Sequence, residues 1–250
     1  MNVLILAGER PGGDPLARAE GVFNKTQIMI AGASMITHVL TAVQQLTPAP
    51  RLFVSGASVE NDTTITSIST AQTPCSSVLK ALAQIDFPVL ITTADHPLLT
   101  LAIIEEFLYK AAIHHEDVCV GMVPLALVQQ HYPGNRRTKL KFSNGSFSGA
   151  NLFLLRNKNA MGLIDFWRQM EANRKSPWRM LHVLGLGSMV RYALGRLSLA
   201  DVVAIITAHA GCSIAPVMLD DPHAAIDVDT PNDLALVRRI MESKNVKKAA

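Results

Sequence analysis

The residues best suited to chemistry fall just past three apolar runs. The first run, residues 2 to 7, leads into a loop carrying Gly8, Arg10, Gly12, Gly13, Arg18 and Lys25. Glycines let backbone N–H groups approach an anion closely, and Arg and Lys neutralise phosphate charge, so the loop has the chemistry of a triphosphate clamp. It is not a Walker P-loop. In "FNKT", Asn24 stands where the second Gly of G-x-x-x-x-G-K-[ST] is required, and no G-x-G-x-x-G follows the run. An ordinary strand-to-helix connection rich in Gly and Pro would have the same composition.

Asp95 closes the second run, "FPVLITTAD". A carboxylate at the end of a buried strand must be capped, paired or metal-bound, so Asp95 reads either as a Mg²⁺ ligand or as a turn or N-cap residue of "DHPLLT". Asp227 and Asp229 follow the last run, in "IDVDTP". They add hard oxygen donors of the kind that hold Mg²⁺ beside substrate phosphates, although Asp229, placed before "TP", would equally cap the closing helix. His96, next to Asp95, stands within reach of a metal's waters. In "NRRTKLKF", Arg137, Lys139 and Lys141 share one face of a strand by the period-two rule. Such a comb suits an anionic acceptor, and it equally suits an edge strand protected by charge. "RKSPWR", with Trp178 among basic residues, reads as a lid, a membrane-surface contact or an anchored helix start.

These positions need elements to hold them. Residues 2–7, "RLFVSG", "FPVLITTAD" and "DVCVGMV" read as strands, and the continuous apolar Val89–Ile91 suggests a central, parallel one. Ser34 to Leu46, "SSVLKALAQI" and the segment from Thr100 to Ala112 read as helices. "NRRTKLKF" and "NLFLLR" flank the hairpin turn "SNGS". "CSIAPVML" and "AAIDVD" supply late strands, and "TPNDLALVRRIM" a closing helix. Alternating strands and helices of this kind predict an α/β protein: a single wound, mostly parallel mixed sheet with helices on both faces. With no repeat, linker or composition break in 250 residues, the expectation is one domain, residues 1–250, with a helical lobe at about 157–210. The most apolar part, "MLHVLGLGSMVRYALGRLSLADVVAIITA", is interrupted by Arg191, Arg196 and Asp201, and reads as two or three core helices rather than a membrane span.

Composition narrows the classes. An apolar fraction of 49% is ample for a core, and a net charge of +3 without a dense basic block argues against nucleic-acid binding. Cys75, Cys119 and Cys212 are scattered and lack CxxC spacing, so no disulfide framework or structural zinc site is expected, and the cytoplasm fits best. The short first run lacks a basic flank and is not a signal peptide.

In chain order, "LAG", the Gly/Arg loop, a Lys followed by "TQIMIAGASMI", "TTADHPLLT", "FSGANLFLLR" and "IDVDTPNDL" resemble the MobA-like NTP transferase family of the nucleotide-diphospho-sugar transferase superfamily. This is the branch with a GT-A type fold that includes molybdenum-cofactor guanylyltransferase and methylerythritol-phosphate cytidylyltransferase. The resemblance covers residues 1 to about 155 and resumes at about 213 to 240. It implies a Mg²⁺-dependent nucleotidyl transfer: an acceptor phosphate oxygen attacks the α-phosphate of an NTP, and pyrophosphate leaves. The acceptor would be the phosphate of a pterin, sugar, polyol or lipid-headgroup alcohol, and peripheral membrane contact stays open. By the same resemblance Leu6, Ala7 and Gly8 face the nucleotide, and Lys25 with Arg18 or Arg10 holds the phosphates. Asp95 and Asp229, with Asp227 beside them, bind Mg²⁺, and Gly149 and Asn151 line the acceptor or ribose side. The chain departs from the family's usual "LAGGxSxRMGxxK": its loop is longer and lacks the Arg-Met-Gly step. A non-catalytic nucleotide-binding protein of this fold and a GT-A glycosyltransferase are the alternatives, the latter disfavoured because "TAD" stands where a D-x-D is expected.

Overall fold

The computed structural model describes all residues except 9–11, 58–61, 135–139, 174–184 and 250, and for 172, 173, 186 and 244–249 it describes the backbone alone. Strand β1 (Asn2–Leu6) lies near the middle of an eight-stranded sheet. A small antiparallel pair, β2 (Met29–Ile30) and β3 (Ala33–Ser34), stands apart from it. The sheet is completed by β4 (Arg51–Ser55), β5 (Ile65–Ile68), β6 (Val89–Thr93), β7 (Val118–Pro124), β8 (Leu140–Phe142), β9 (Gly145–Leu155) and β10 (Ile214–Met218). The order is β10-β7-β9-β6-β1-β4-β5, with β8 paired to β9 off this path. β9 runs antiparallel to β6 and β7, and the other pairings along the path are parallel. The sheet is therefore mixed but mostly parallel, as the strand pattern predicts.

Alternation along β1 sends its side chains to two separate cores. Val3 and Ile5 pack with α2 (Met35–Gln44) and α4 (Leu101–Ala111), through Val39, Val43, Ile103 and Phe107. Leu4 packs on the other face with α3 (Pro74–Leu82) and α6 (Met161–Asn173), through Val78, Leu82, Leu163 and Phe166. Each such side chain contributes roughly 1.5–3 kcal/mol of apolar burial. Three further helices are α1 (Pro15–Ala19), α5 (Leu125–His131) and α7 (Leu186–Ala193). α8 (Leu199–Ala210) packs on α6, where Gly162 permits the contact: a Cβ there would lie 2.0 Å from the Ala210 carbonyl oxygen. α9 (Pro231–Ala249) closes the chain on the first core through Leu234 and Val237.

Several expectations need correction. "AAIDVD" forms no strand: Pro222–Ala225 is a 3₁₀ turn and Ile226–Asp229 runs extended outside the sheet. Its alternation is real, with Ile226 and Val228 fully buried, and Val228 N–H donates to the Asp95 carbonyl at 2.9 Å. The apolar stretch read as core helices is an outer layer, because α3 and α6 already cover that sheet face. In α8 Leu199 is buried and the rest is half-buried or exposed, and Val190, Tyr192 and Leu194 are exposed. Of "NRRTKLKF", Leu140–Phe142 is strand, and Arg137 and Lys139 lie outside the described residues. The second helix begins at Pro74, capped by Thr73, two residues before "SSVLKALAQI". Strand β5 and helices α1 and α5 are not anticipated by the pattern.

Two local contacts hold the sheet's ends. Asp117 Oδ2 accepts from the backbone N–H and the hydroxyl of Ser213, each at 2.8 Å, and Oδ1 accepts from Asn157 at 2.8 Å and Asn159 at 3.3 Å. It thereby joins the start of β7, the entry to β10 and the turn after β9. At the opposite end Gly56, past β4, has φ +111°, and a Cβ there would lie 2.6 Å from Gly8 Cα. The bonds Ala7 N–H to Ser55 carbonyl (2.8 Å) and Gly56 N–H to Ile68 carbonyl (3.1 Å) leave that backbone little room to move.

The Ser213 amide, with further donors, holds the Asp117 carboxyl at about 2, below its ordinary 3.8. A depressed carboxylate stabilises the fold above its unfolded value, and that contribution fades as pH falls through 3.8 toward 2. Asp117→Ala should therefore cost about 1 kcal/mol at neutral pH, small because the group is partly exposed and screened. In urea unfolding from pH 7 down to 2, the gap between wild type and variant should close at the acid end; a constant gap would assign the loss to packing. Gly56→Ala should cost about 2 kcal/mol or more, through backbone strain and overlap with Gly8, read as a lower urea midpoint than that of wild type.

Candidate functional site

Parallel register aligns the carboxyl ends of β1, β4 and β6, since Leu6 stands opposite both Ser55 and Thr93. Ligands of wound sheets bind at such ends, where loops diverge and leave backbone groups open. Here the ends form the floor of a cavity of about 1000 Å³. Ala7 and Gly8 line it above β1, and Asp14, Asn24 and Lys25 line it from the loop that follows.

Lys25 begins a 3₁₀ turn, Lys25–Gln27, whose start is fixed by a capping box: Asn24 Oδ1 accepts from Thr26 N–H at 2.8 Å, and Gln27 Oε1 accepts from Asn24 N–H at 3.3 Å. Its ammonium donates to Asp95 Oδ2 at 2.8 Å and to Asp229 Oδ1 at 2.9 Å. The side chains are 14%, 22% and 46% exposed, so the contact sits at the cavity edge with Lys25 deepest. Burial pulls the lysine's pKa down, but the Asp95 and Asp229 carboxylates outweigh burial and the net shift is upward, so Lys25 is an ammonium at neutral pH.

Asp95 and Asp229 are held from outside the contact. The Asp95 carbonyl accepts from Val228, which locks the extended 226–229 segment against the end of β6. Asp229 does not cap the last helix. Thr230 does so, its hydroxyl accepting from Asp233 N–H at 3.3 Å while Asp233 accepts from Thr230 N–H at 2.9 Å, which leaves the Asp229 carboxylate directed to Lys25. Asp227, two residues earlier, accepts from Asn151 Nδ2 at 3.1 Å. Asn151 has φ +50° in β9, beside the register shift between Val120 and Met122, a left-handed conformation that Asn tolerates better than most residues.

Among the expected site residues, Leu6, Ala7, Gly8, Lys25, Asp95 and Asp229 meet at the cavity. Asp227 and Asn151 form the neighbouring pair, and Gly149 is exposed one turn of the pleat away on β9. Arg18 on α1 and Gly12 before it are exposed and Gly13 is half-buried, and none of the three lines the cavity. Arg10, Arg137 and Lys139 fall outside the described residues, as do Trp178 and its basic neighbours. His96 is buried, and its Nε2 lies 3.1 Å from the His223 carbonyl, which braces the Pro222–Ala225 turn.

The wall opposite Asp95 is not evident from the sequence. Thr70, Gln72, Thr73 and Ser77 line it, with Arg168 and Glu171 from α6. Ser77 organises this loop, accepting from Ala71 N–H and donating to the Thr73 carbonyl, both at 2.9 Å. The usable signal was "TP" at Thr73-Pro74, a cap followed by Pro at the first helical position. Cys75 in the same turn is no nucleophile: burial and Glu171 push its thiol up to about 11.

The carboxylates suit a divalent cation. Asp95 Oδ1 is buried and has no hydrogen-bond partner among the described residues, and Oδ2 converges with Asp229 Oδ1 on a single point, now held by the Lys25 ammonium. Among the described residues no cluster of three or more His, Cys, Asp or Glu side chains surrounds a metal position. Two carboxylates with substrate oxygens completing the shell is how Mg²⁺ is commonly bound beside phosphates.

Comparison with known proteins places the fold and the family. A hypothetical transferase from Thermus thermophilus superposes with a TM-score of 0.81 at 26% identity, over 94% of this chain and 100% of that one. The 2-C-methyl-D-erythritol 4-phosphate cytidylyltransferase of the same organism gives a TM-score of 0.56 at 14% identity, covering 97% and 98% of the two chains. CMP:2-keto-3-deoxy-manno-octonic acid synthetase, in a complex with CTP, gives 0.57 at 14% over the same shares. At that identity these last two establish the shared fold. No curated protein sequence matches the chain. The model of the MobA-like NTP transferase domain matches residues 3–134, just over half of the chain, and reaches from β1 through Lys25 and Asp95 to the end of α5. The chain belongs to the MobA-like NTP transferase family and is a nucleotidyltransferase.

Proposed function

We propose that this protein transfers a nucleoside monophosphate from an NTP to a phosphorylated small-molecule acceptor, with Mg²⁺ as cofactor and release of pyrophosphate. The observation that carries the reading is the convergence of Lys25, Asp95 and Asp229 at the edge of the cavity over the end of β1. Charge there meets an open backbone at Gly8, which is what a triphosphate needs.

Sheet order supplies a direction for the substrate. Across the carboxyl edge the strands run β5, β4, β1, β6, β9. Thr70 to Ser77 follow β5, Ala7 and Gly8 follow β1, Asp95 follows β6, and Asn151 lies in β9. Neutral short side chains at one end suit a base and ribose, and the lysine and carboxylates in the middle suit phosphates. Asn151, Asp227 and Gly149 beyond them stand where the acceptor would approach. Arg10, Arg18, Gly12 and Gly13 on the first loop, and Arg137 and Lys139 in "NRRTKLKF", remain candidates for further phosphate and acceptor contacts.

In the reaction an oxygen of the acceptor phosphate forms a bond to the α-phosphorus, and the bond from that phosphorus to the bridging oxygen breaks, its electron pair leaving with pyrophosphate. No covalent enzyme intermediate is required. Lys25 neutralises phosphate charge and holds the chain of phosphates in line, and the Ala7–Gly8 backbone fixes the nucleotide against the sheet. Asp95 and Asp229 would hold Mg²⁺, which when bound supplies charge stabilisation at the phosphoryl oxygens. The three cysteines are free thiols, and among the described residues no helix is long and apolar enough to cross a membrane. Both features favour work in the cytoplasm.

Purified protein incubated with each of the four NTPs, Mg²⁺ and a panel of phosphorylated pterins, sugars and polyols should release pyrophosphate for one pairing. Its NTP at a hundred times the dissociation constant should stabilise the fold by roughly 2.7 kcal/mol in a thermal scan. Nucleotide binding without pyrophosphate from any pairing would favour a non-catalytic binder. Asp95→Asn should lower turnover by about a hundredfold or more. Its unfolding midpoint should stay near that of wild type, because Lys25 keeps Asp229 and the backbone bond to Val228 survives. A variant that instead unfolds would make Asp95 a structural residue.

A further inference from the structure

The point where the two carboxylates converge is held by a cation that belongs to the chain. Lys25 Nζ lies within hydrogen-bond distance of both Asp95 Oδ2 and Asp229 Oδ1. A Mg²⁺ ion bound by these oxygens would stand at about 2.1 Å from each, inside the space the ammonium now takes. Two cations cannot share that point. The backbone of Lys25 is held by the Asn24–Gln27 capping box, so any relocation of the charge is a rotation of its four-carbon stem. The same side chain lines the cavity together with Ala7 and Gly8, so a triphosphate seated there is within its sweep.

We propose that Lys25 is a resident counter-ion of the Asp95–Asp229 pair that the incoming triphosphate draws away, so that the divalent cation enters with the nucleotide and is not held beforehand. The inference rests on the nucleotidyltransferase reading and adds an order of events to it. Without nucleotide, Lys25 keeps two facing carboxylates from repelling each other, one of them with a buried oxygen that no donor among the described residues reaches. A triphosphate presents several negative oxygens to the same ammonium. Once Lys25 turns to them, the point between the two carboxylate oxygens is open to the metal that the nucleotide brings. Lys25 thus serves as a positioning residue for the metal as well as a phosphate ligand, and it excludes Mg²⁺ from the empty enzyme.

The test is Mn²⁺ binding followed by electron paramagnetic resonance with no nucleotide present. Wild type should bind Mn²⁺ weakly, and Lys25→Met, which keeps the stem and removes the charge, should bind it about tenfold tighter or more, because it takes the competing cation away from the point between the two carboxylate oxygens. Lys25→Arg should stay weak, and adding Asp229→Asn to Lys25→Met should abolish the gain. Equal Mn²⁺ affinity in wild type and Lys25→Met would overturn the proposal. Should Lys25→Met fail to fold, the ammonium nitrogen of Lys25 in ¹⁵N-lysine-labelled wild type, assigned by its absence in Lys25→Arg, gives the same decision. Inorganic tripolyphosphate in EDTA should move that resonance, whereas Mn²⁺ alone should leave it sharp. A signal unmoved by tripolyphosphate, or broadened by Mn²⁺ alone, would overturn the proposal. The functional reading fails separately, if no NTP yields pyrophosphate whatever the Mn²⁺ arms show.

Discussion

Two carboxylates from parts of the chain far apart in sequence, Asp95 and Asp229, face each other across one ammonium, and the carboxyl edge of the sheet is arranged around that contact. Like charges this close repel, and partial burial strengthens the repulsion by lowering the local dielectric. The fold holds them by backbone and caps. Val228 N–H ties the 226–229 segment to Asp95, Thr230 and Asp233 close the next helix on each other, and Asn24 and Gln27 fix the turn that carries Lys25. None of these bonds involves the three charged side chains. The geometry of the charges is therefore independent of their state, as a site that exchanges one cation for another requires.

The strands of the central sheet were legible because buried parallel strands need continuous apolar runs, and Val3–Ile5 and Val89–Ile91 are buried on both faces. Asp95 stood out for the same reason: a carboxylate ending such a run must be capped, paired or metal-bound, and in the fold it is paired with Lys25. The partnership between Lys25 and the two acids was not, since it depends on the loop length that brings Lys25 back over β6, and composition does not encode that. "AAIDVD" alternates like a strand because one side of it is buried, yet it lies beyond the last strand and bonds to a loop carbonyl instead of to a ladder. The Thr70–Ser77 wall was missed because its polar residues look like any connection until β5 and α3 place them. In the lobe, hydrophobicity signalled helices correctly and depth wrongly, because a helix stacked outside α6 can be as apolar as one beneath it.

Between β1 and Lys25 the long Gly- and Pro-rich loop has a structural use that its composition obscures. Asp14 caps α1 through Leu16 N–H at 2.8 Å, Pro15 takes the first helical position, and Leu16 and Ala17 are buried against the body of the protein. The loop is thereby anchored midway, and Val22 N–H returns to the Ala17 carbonyl to close it. Arg18 is left on the outer side of this helix. An anchored loop delivers the next element, the turn at Lys25, to a fixed place, whereas a free glycine loop of that length would spread its position over many angstroms.

That difference decides what the chain's departure from the family's shorter loop means. Here the close backbone approach at the strand ends is made by Ala7, Gly8 and Gly56, while α1 and the capping box at Asn24 set the lysine. The lysine arrives between two acids that need it, so its position is selected by charge as well as by chain connectivity. The lengthened loop therefore leaves the contact of one ammonium with two carboxylates in place, because α1 and the Asn24–Gln27 capping box return Lys25 to Asp95 and Asp229.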